Sequence, residues 1–234
     1  MRVIPKMWTR ERFGYEGRAF SMPVRAVLPK PYQKPHPPMW VAVTSPGTEL
    51  DAAERGLGAL GLQFSSFSEQ ERKVAEYRRH IRGCEPAGEF VNEQVATVNF
   101  LFCHEDLAQG VETGKRLAGS FNYMAAQLLP AREAFPARSY PSLGLLPQLR
   151  QEAAGPGDAS GAPEGLCIGD PHRVIEVVKK WESVGVDRIN FLLNCLETVP
   201  QEEVLASLRL FAREVMPHFR QPESRAAGSA LGVH

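Results

Sequence analysis

The chain has 234 residues, 43% of them hydrophobic, which is enough for one sizeable core and far from the composition of a disordered chain. Lys plus Arg (27) balance Asp plus Glu (27), so no broad basic field exists to gather nucleic acid or an anionic membrane surface. No window approaches the ~18 consecutive apolar residues of a membrane span, and the N-terminus lacks the apolar core of a signal peptide, so the expected location is cytosolic.

In chain order, residues 1–9 read as the last turns of an amphipathic helix, as if the chain began within an element. A Pro-rich connection, FGYEGRAFSMPVRAVLPKPYQKPHPP, follows and must run extended, because each proline fixes its own φ and pushes its predecessor out of the helical region. His36 within it reads as a structural residue of a surface connection. MWVAVTS (39–45) is nearly all apolar, as suits a parallel strand covered on both faces. A helix through GTELDAAERG, a second buried strand LGALGLQFSS and a charged helix carrying Val74, Tyr77 and Ile81 on one face come next. The third strand is expected over 93–106, with a long helix after it. Residues 130–165 are rich in Pro, Gly, Ala and Ser and read as a mobile loop. Asp170 and Pro171 then signal a helix start, with Val174, Val177, Val178 and Trp181 inward and Gly185 as its stop. The strand INFLL and a last helix with Val204, Leu208, Phe211 and Val215 inward close a domain over 1–219, and 220–234 reads as a disordered tail.

Four strand–helix units with buried strands imply an α/β fold with a parallel sheet and right-handed crossovers, open or closed into a barrel. Residues 56–61, GLGALG, match GxGxxG formally, but the glycines close a helix and open a strand, the reverse of the dinucleotide-binding order. The stretch Thr44-Ser45-Pro46-Gly47-Thr48 has the right polarity, strand first and helix second. Its hydroxyls either cap the helix or, with the leading amides, seat an anion. Cys84, Cys103, Cys167 and Cys195 form no CxxC and read as reduced, mostly buried thiols. Cys103-His104-Glu105-Asp106 ends the third strand and Asn194 the fourth, at the rim where parallel α/β proteins place their chemistry. His104 and Asn194 are therefore candidates for ligand contact, against the alternatives of a loop histidine and a solvated turn residue. Adjacent strand residues point to opposite faces, which argues against a metal site at the CHED cluster.

LPKPYQKPHPPMWVAVTSPGTELDAAERGLGALG, LCIGDPHRVIEVVKKWESVGVDRINFLLN and QEEVLASLRLFAREVMPHF together resemble the bacterial luciferase-like flavin-dependent monooxygenases, over nearly all of Trp8 to Phe219. The resemblance implies a (β/α)8 barrel, of which the four units here match the last four of eight. It implies a partial barrel, N-terminally incomplete, with the 130–165 loop as a lid. It also implies reduced flavin mononucleotide (FMN), or a deazaflavin in some branches, with oxygen as cosubstrate acting on a small organic molecule. On that pattern Ser45 and Thr48 hold the flavin phosphate, with Thr44 where luciferase has an acidic residue. No catalytic base is assigned, because the region that carries the family's active-site histidine has no counterpart in these units. Open strand edges would call for a homodimer or a partner chain. A noncatalytic flavin-binding or dimerising subunit, and an aldolase-like or sugar-phosphate barrel using the same anion seat, are the alternative readings.

Overall fold

The computed structural model describes residues 2–43, 47–62, 67–128 and 161–220. The chain enters through α1 (Val3–Thr9) and an antiparallel hairpin of β1 (Phe13–Glu16) and β2 (Ser21–Arg25). The pattern shows only an extended connection here, because neither strand alternates and Pro23 argues against a ladder. The hairpin tolerates the proline because its two-stranded sheet has only edges. Its register slips between Phe13 and Tyr15, at Gly14, where an added Cβ would sit 2.6 Å from Val24 Cγ2. The Pro-rich segment beyond is tied down rather than draped over the surface. His36 is buried, its Nε2 accepts from the Glu89 amide (2.9 Å), its Nδ1 meets the Pro37 carbonyl (2.8 Å), and its ring stacks on Phe90.

Five strands form one parallel sheet: β3 (Trp40–Ala42), β4 (Gly58–Leu62), β5 (Val95–Cys103), β6 (Cys167–Gly169) and β7 (Arg188–Leu192). The helices are α2 (Thr48–Glu54), α3 (Phe67–Ile81), α4 (Leu107–Leu128), α5 (Pro171–Ser183) and α6 (Gln201–Leu210). The last runs on through a π turn (Phe211–Val215) and a 3-10 turn (Met216–Phe219). β5 is the strand that β4, β6 and β7 share, while β3 pairs with β4. β4 borders it from Val95 to Val98 and β7 borders it from Ala96 to Phe100, so the two lie on opposite edges. β6 pairs only with the last three residues of β5, Leu101 to Cys103. This fifth strand escapes the sequence pattern because it is three residues long and runs straight into the helix-start signal. There the expectation holds: Asp170 Oδ1 accepts from the Arg173 amide (2.9 Å) and Pro171 opens α5. β3 is half-buried rather than covered on both faces, since it lies at the end of the strand order.

Alternate residues of β5 feed opposite faces. On one face Val95 joins Ala52, Ala53, Val74, Tyr77 and Ile81 from α2 and α3. Further along that face, Leu101 and Cys103 join Val174, Val177 and Trp181 of α5. On the other face Phe100 and Phe102 pack against Val111, Leu117 and Ala118 of α4. Thus α2, α3 and α5 share one face and α4 lies on the other. Gly110 and Gly114 make the approach of α4 possible. A Cβ on Gly110 would lie 2.6 Å from the Gly169 carbonyl oxygen, and one on Gly114 would fall within the van der Waals envelope of Ile168.

Candidate functional site

The C-terminal ends of β3, β5 and β7 bring the sequence candidates to one end of the sheet, with three different outcomes. Thr44 and Ser45 lie outside the described residues, as does most of 130–165. At Thr48 the capping alternative does not apply. Gly47 is the N-cap, in the left-handed region at φ 83°, and among the described residues no side chain caps α2. The amides of Leu50 and Asp51 donate to the Gly47 carbonyl (3.1 and 3.2 Å), which leaves those of Thr48 and Glu49 without an intrahelical acceptor. Glu49 and Asp51 in the first turn already answer the positive end of the helix. An anion here therefore needs hydroxyl donors as well as amides. Downstream, Gly56 (φ 64°) ends α2, and Gly58 and Gly61 lie in β4, so the glycine motif has the reversed order read from the sequence.

His104 continues β5: its amide donates to the Gly169 carbonyl (2.9 Å). Its Nδ1 accepts from the Asp106 amide (2.9 Å), while Asp106 Oδ1 accepts from Gln109 N (2.9 Å) at the start of α4. Nδ1 is thus engaged within the turn, and Nε2 is the ring nitrogen left for a ligand. His104, Phe102, Gln109 and Thr113 line a cleft of about 530 Å³ whose other wall is Ser207 and Arg209 of α6. Its floor holds a bond that sequence reasoning misses: β7 stops opposite Phe100, and the amide of Cys103 beyond it donates to buried Ser207 Oγ (2.7 Å). Asn194 uses both ends of its amide on Val199, donating to its carbonyl (2.8 Å) and accepting from its N–H (3.3 Å), which closes the loop after β7.

Burial pushes the Cys103 thiol up to about 12, with Asp170 and Glu214 adding to it. Burial pushes Cys167 to about 12 as well, against the opposing charge of Arg173. Neither is a thiolate nucleophile near neutral pH. Glu105 turns toward Arg213 (3.8 Å), and no group of three His, Cys, Asp or Glu among the described residues is placed to hold a metal. Among those residues, too, no helix is long and apolar enough to cross a membrane. A second feature without a sequence signal is Arg173, which reads as one more cation on a helix face. It is buried, and its guanidinium donates to the carbonyls of Pro163 (3.0 Å), Leu166 (2.7 Å) and Ile168, pinning the segment that leads into β6.

The model of the luciferase-like monooxygenase family matches residues 1–188. The oxygenase component of a flavin-dependent trigonelline monooxygenase from Acinetobacter baylyi is 23% identical over 226 residues, 94% of this chain and 58% of that protein. Among solved structures, the coenzyme F420-dependent tetrahydromethanopterin reductase of Methanopyrus kandleri superposes with a TM-score of 0.61 at 19% identity, covering 94% of this chain and 61% of that one. The oxygenating constituent of 3,6-diketocamphane monooxygenase from the CAM plasmid of Pseudomonas putida, in complex with FMN, gives 0.60 at 19%, covering 94% and 62%. These two likenesses speak to the fold, and the chain spans about three fifths of the length of each of these relatives. Built of parallel β/α units and matched by the family model over residues 1–188, the chain belongs to the luciferase-like monooxygenase family.

Proposed function

We propose that the chain contributes the cofactor-phosphate side of a flavin-dependent oxidoreductase of the monooxygenase type, acting with reduced flavin and oxygen on a small organic substrate. The observation that carries the reading is the turn between β3 and α2. A left-handed Gly47 caps the helix without a side chain, two amides lack intrahelical acceptors, and Thr48 is the first residue of the helix. Backbone donors and hydroxyls without a lysine fit a phosphate monoester better than a triphosphate. On this reading Ser45, Thr48 and the local amides hold the flavin phosphate, with Thr44 beside them. The flavin, when bound, supplies the oxygen chemistry, and the protein binds, orients and excludes water. FMN is the first choice of cofactor. A deazaflavin is the second, since a phosphate seat serves both and one structural neighbour is named for coenzyme F420.

The strand run β3, β4, β5, β7 is read as neighbouring staves of a (β/α)8 barrel, with α2, α3 and α5 on the outer face. Under that reading α4 belongs to an insertion on the inner face, continuous with the 130–165 loop that serves as a lid, β6 extends the sheet at the C-terminal end of β5, and the His104 cleft is the substrate side of the rim. A relative named as an oxygenase component supports a partner that delivers reduced flavin. The test is flavin titration of this chain and of Ser45→Ala/Thr48→Ala, followed by fluorescence, with circular dichroism to show both fold alike. The variant is expected to bind FMN at least about tenfold more weakly, the loss of one to two good hydrogen bonds to a charged group. Equal affinity would remove the phosphate seat from this turn, and the absorbance of bound cofactor separates flavin from deazaflavin.

A further inference from the structure

The cleft between the end of β5, α4 and α6 holds one charge left over after its neighbours are accounted for. Besides His104, the ionisable side chains that line it are Glu105, Glu203, Arg209 and Arg213. Arg213 is shared by two carboxylates, Glu214 (2.7 Å) and Glu105 (3.8 Å), and brings no free charge to the cavity. Glu203 sits in the first turn of α6, where the unpaired amides of the helix end favour a negative charge. Arg209 remains. Among the described residues it has no carboxylate partner, and it answers no helix C-terminus, because the backbone runs on beyond it through the π turn and the 3-10 turn.

The neutral groups of the cleft add donors. Because His104 Nδ1 accepts from the Asp106 amide (2.9 Å), the neutral ring carries its proton on Nε2. Ser207 Oγ accepts from the Cys103 amide (2.7 Å), and among the described residues its own O–H has no acceptor. Thr113 and Gln109 contribute a hydroxyl and an amide from the α4 side, while Phe102 and Leu210 give the cavity an apolar wall. Its volume of about 530 Å³ suits a small molecule. The helix that bears Arg209 passes from α to π geometry directly after Leu210, and π turns within helices are frequent at functional sites.

We propose that this cleft takes a small organic acid, its carboxylate held by Arg209 and its hydrocarbon or aromatic body set against Phe102 and Leu210. The proposal rests on the reading of the His104 cleft as the substrate side of the rim, and it narrows the small organic substrate of that reading to a carboxylate. A guanidinium meets a carboxylate through two parallel N–H donors, and such charge-assisted bonds are about twice as strong as neutral ones. One uncompensated cation matches a singly charged acid and would leave a phosphate dianion half neutralised, so this site and the phosphate seat at the β3–α2 turn take different anions. The Nε2–H of His104 and the O–H of Ser207 are the neutral donors available to the oxygens of the bound acid.

The experiment is a ligand-observed NMR titration of the whole chain with benzoate and hexanoate, each beside its neutral amide, benzamide and hexanamide. Wild type is expected to bind at least one of the acids at least about tenfold more tightly than the matching amide, the worth of hydrogen bonds to a charged group. Arg209→Gln is expected to lose that preference while its circular dichroism stays that of wild type, since the side chain is exposed and its removal leaves no buried group unpaired. A wild type that binds neither acid, equal binding of acid and amide, or an unchanged preference in Arg209→Gln would overturn the proposal. So would loss of the preference in Ser45→Ala/Thr48→Ala, which would seat the acid in the β3–α2 turn. Flavin affinity measured on the same samples separates the two readings. A failed phosphate seat with the acid preference intact refutes the flavin reading alone, and tight flavin binding with no acid preference refutes this proposal alone.

Discussion

Ser207 illustrates how much of this rim depends on single atoms. The β5 amide at Cys103 lies beyond the reach of β7, and Ser207 Oγ is its acceptor in a buried setting. Replacing Ser207 by Ala leaves a buried N–H unsatisfied, at a cost of about 1–3 kcal/mol, to be read as a lower urea midpoint with unchanged slope. Cys103 and Cys167 act through their protons. A thiol that titrates near 9 in the unfolded chain and at about 12 in the folded one binds its proton more tightly when folded. Its stabilising contribution is therefore complete below pH 9 and lost as pH rises toward 12. Urea midpoints measured between pH 8 and 11 are expected to fall, and to fall less steeply in Cys167→Ala; buried Tyr77, also pushed upward by burial, contributes above pH 10. The burial of Cys103 and Cys167 agrees with their reading as buried thiols, whereas the roles of Ser207 and Arg173 cannot be read from residue type. Serine and arginine carry no periodic signal, and the burial of Ser207 and Arg173 is decided by where two distant strands end.

At the scale of elements, α4 presents a contrast that a pair of glycines can test. Gly114 has no room for a Cβ against Ile168, whereas Gly119, five residues on, has no atom within 4 Å of one. Gly114→Ala is expected to cost about 1–3 kcal/mol through overpacking. Gly119→Ala is expected to be neutral or to stabilise by up to about 1 kcal/mol through helix propensity. Thermal or urea denaturation of the two variants side by side gives the answer, and similar values would mean that α4 does not dock closely on β6. The long periodic elements were legible in the sequence: α3 with Val74, Tyr77 and Ile81, and α5 with its Asp170-Pro171 start and Gly185 stop at φ 89°. Those that escaped, the β1–β2 hairpin and β6, are short, so local pattern cannot declare them and long-range pairing does. Apolar runs reveal burial but not which face a helix covers, so nothing in the sequence separated α4 from the other helices.

For the whole molecule, family membership was legible because it rests on the order and spacing of three blocks rather than on any one motif. A charge segregation was equally present in the sequence, residues 1–34 carrying eight Lys or Arg against two Glu, but it is invisible to the overall balance of 27 against 27. It bears on the exclusion of polyanionic partners, since a local field of several like charges acts over a Debye length whatever the net charge.

The shared position of β5 sets an order of assembly during synthesis. Its partner β7 and the Asp187 carboxylate that accepts from both the Val95 amide and Arg78 (2.6 Å each) are encoded some ninety residues later, so they leave the ribosome long after β5 does. Until then one flank of an almost wholly apolar strand, Val95–Cys103, has no backbone partner. The composition of 130–165 adds only delay, since loop-closure entropy grows slowly with length, about 0.6 kcal/mol per doubling. The vulnerable interval is therefore kinetic, and a nascent chain halted within that segment would carry an open template for strand pairing between molecules.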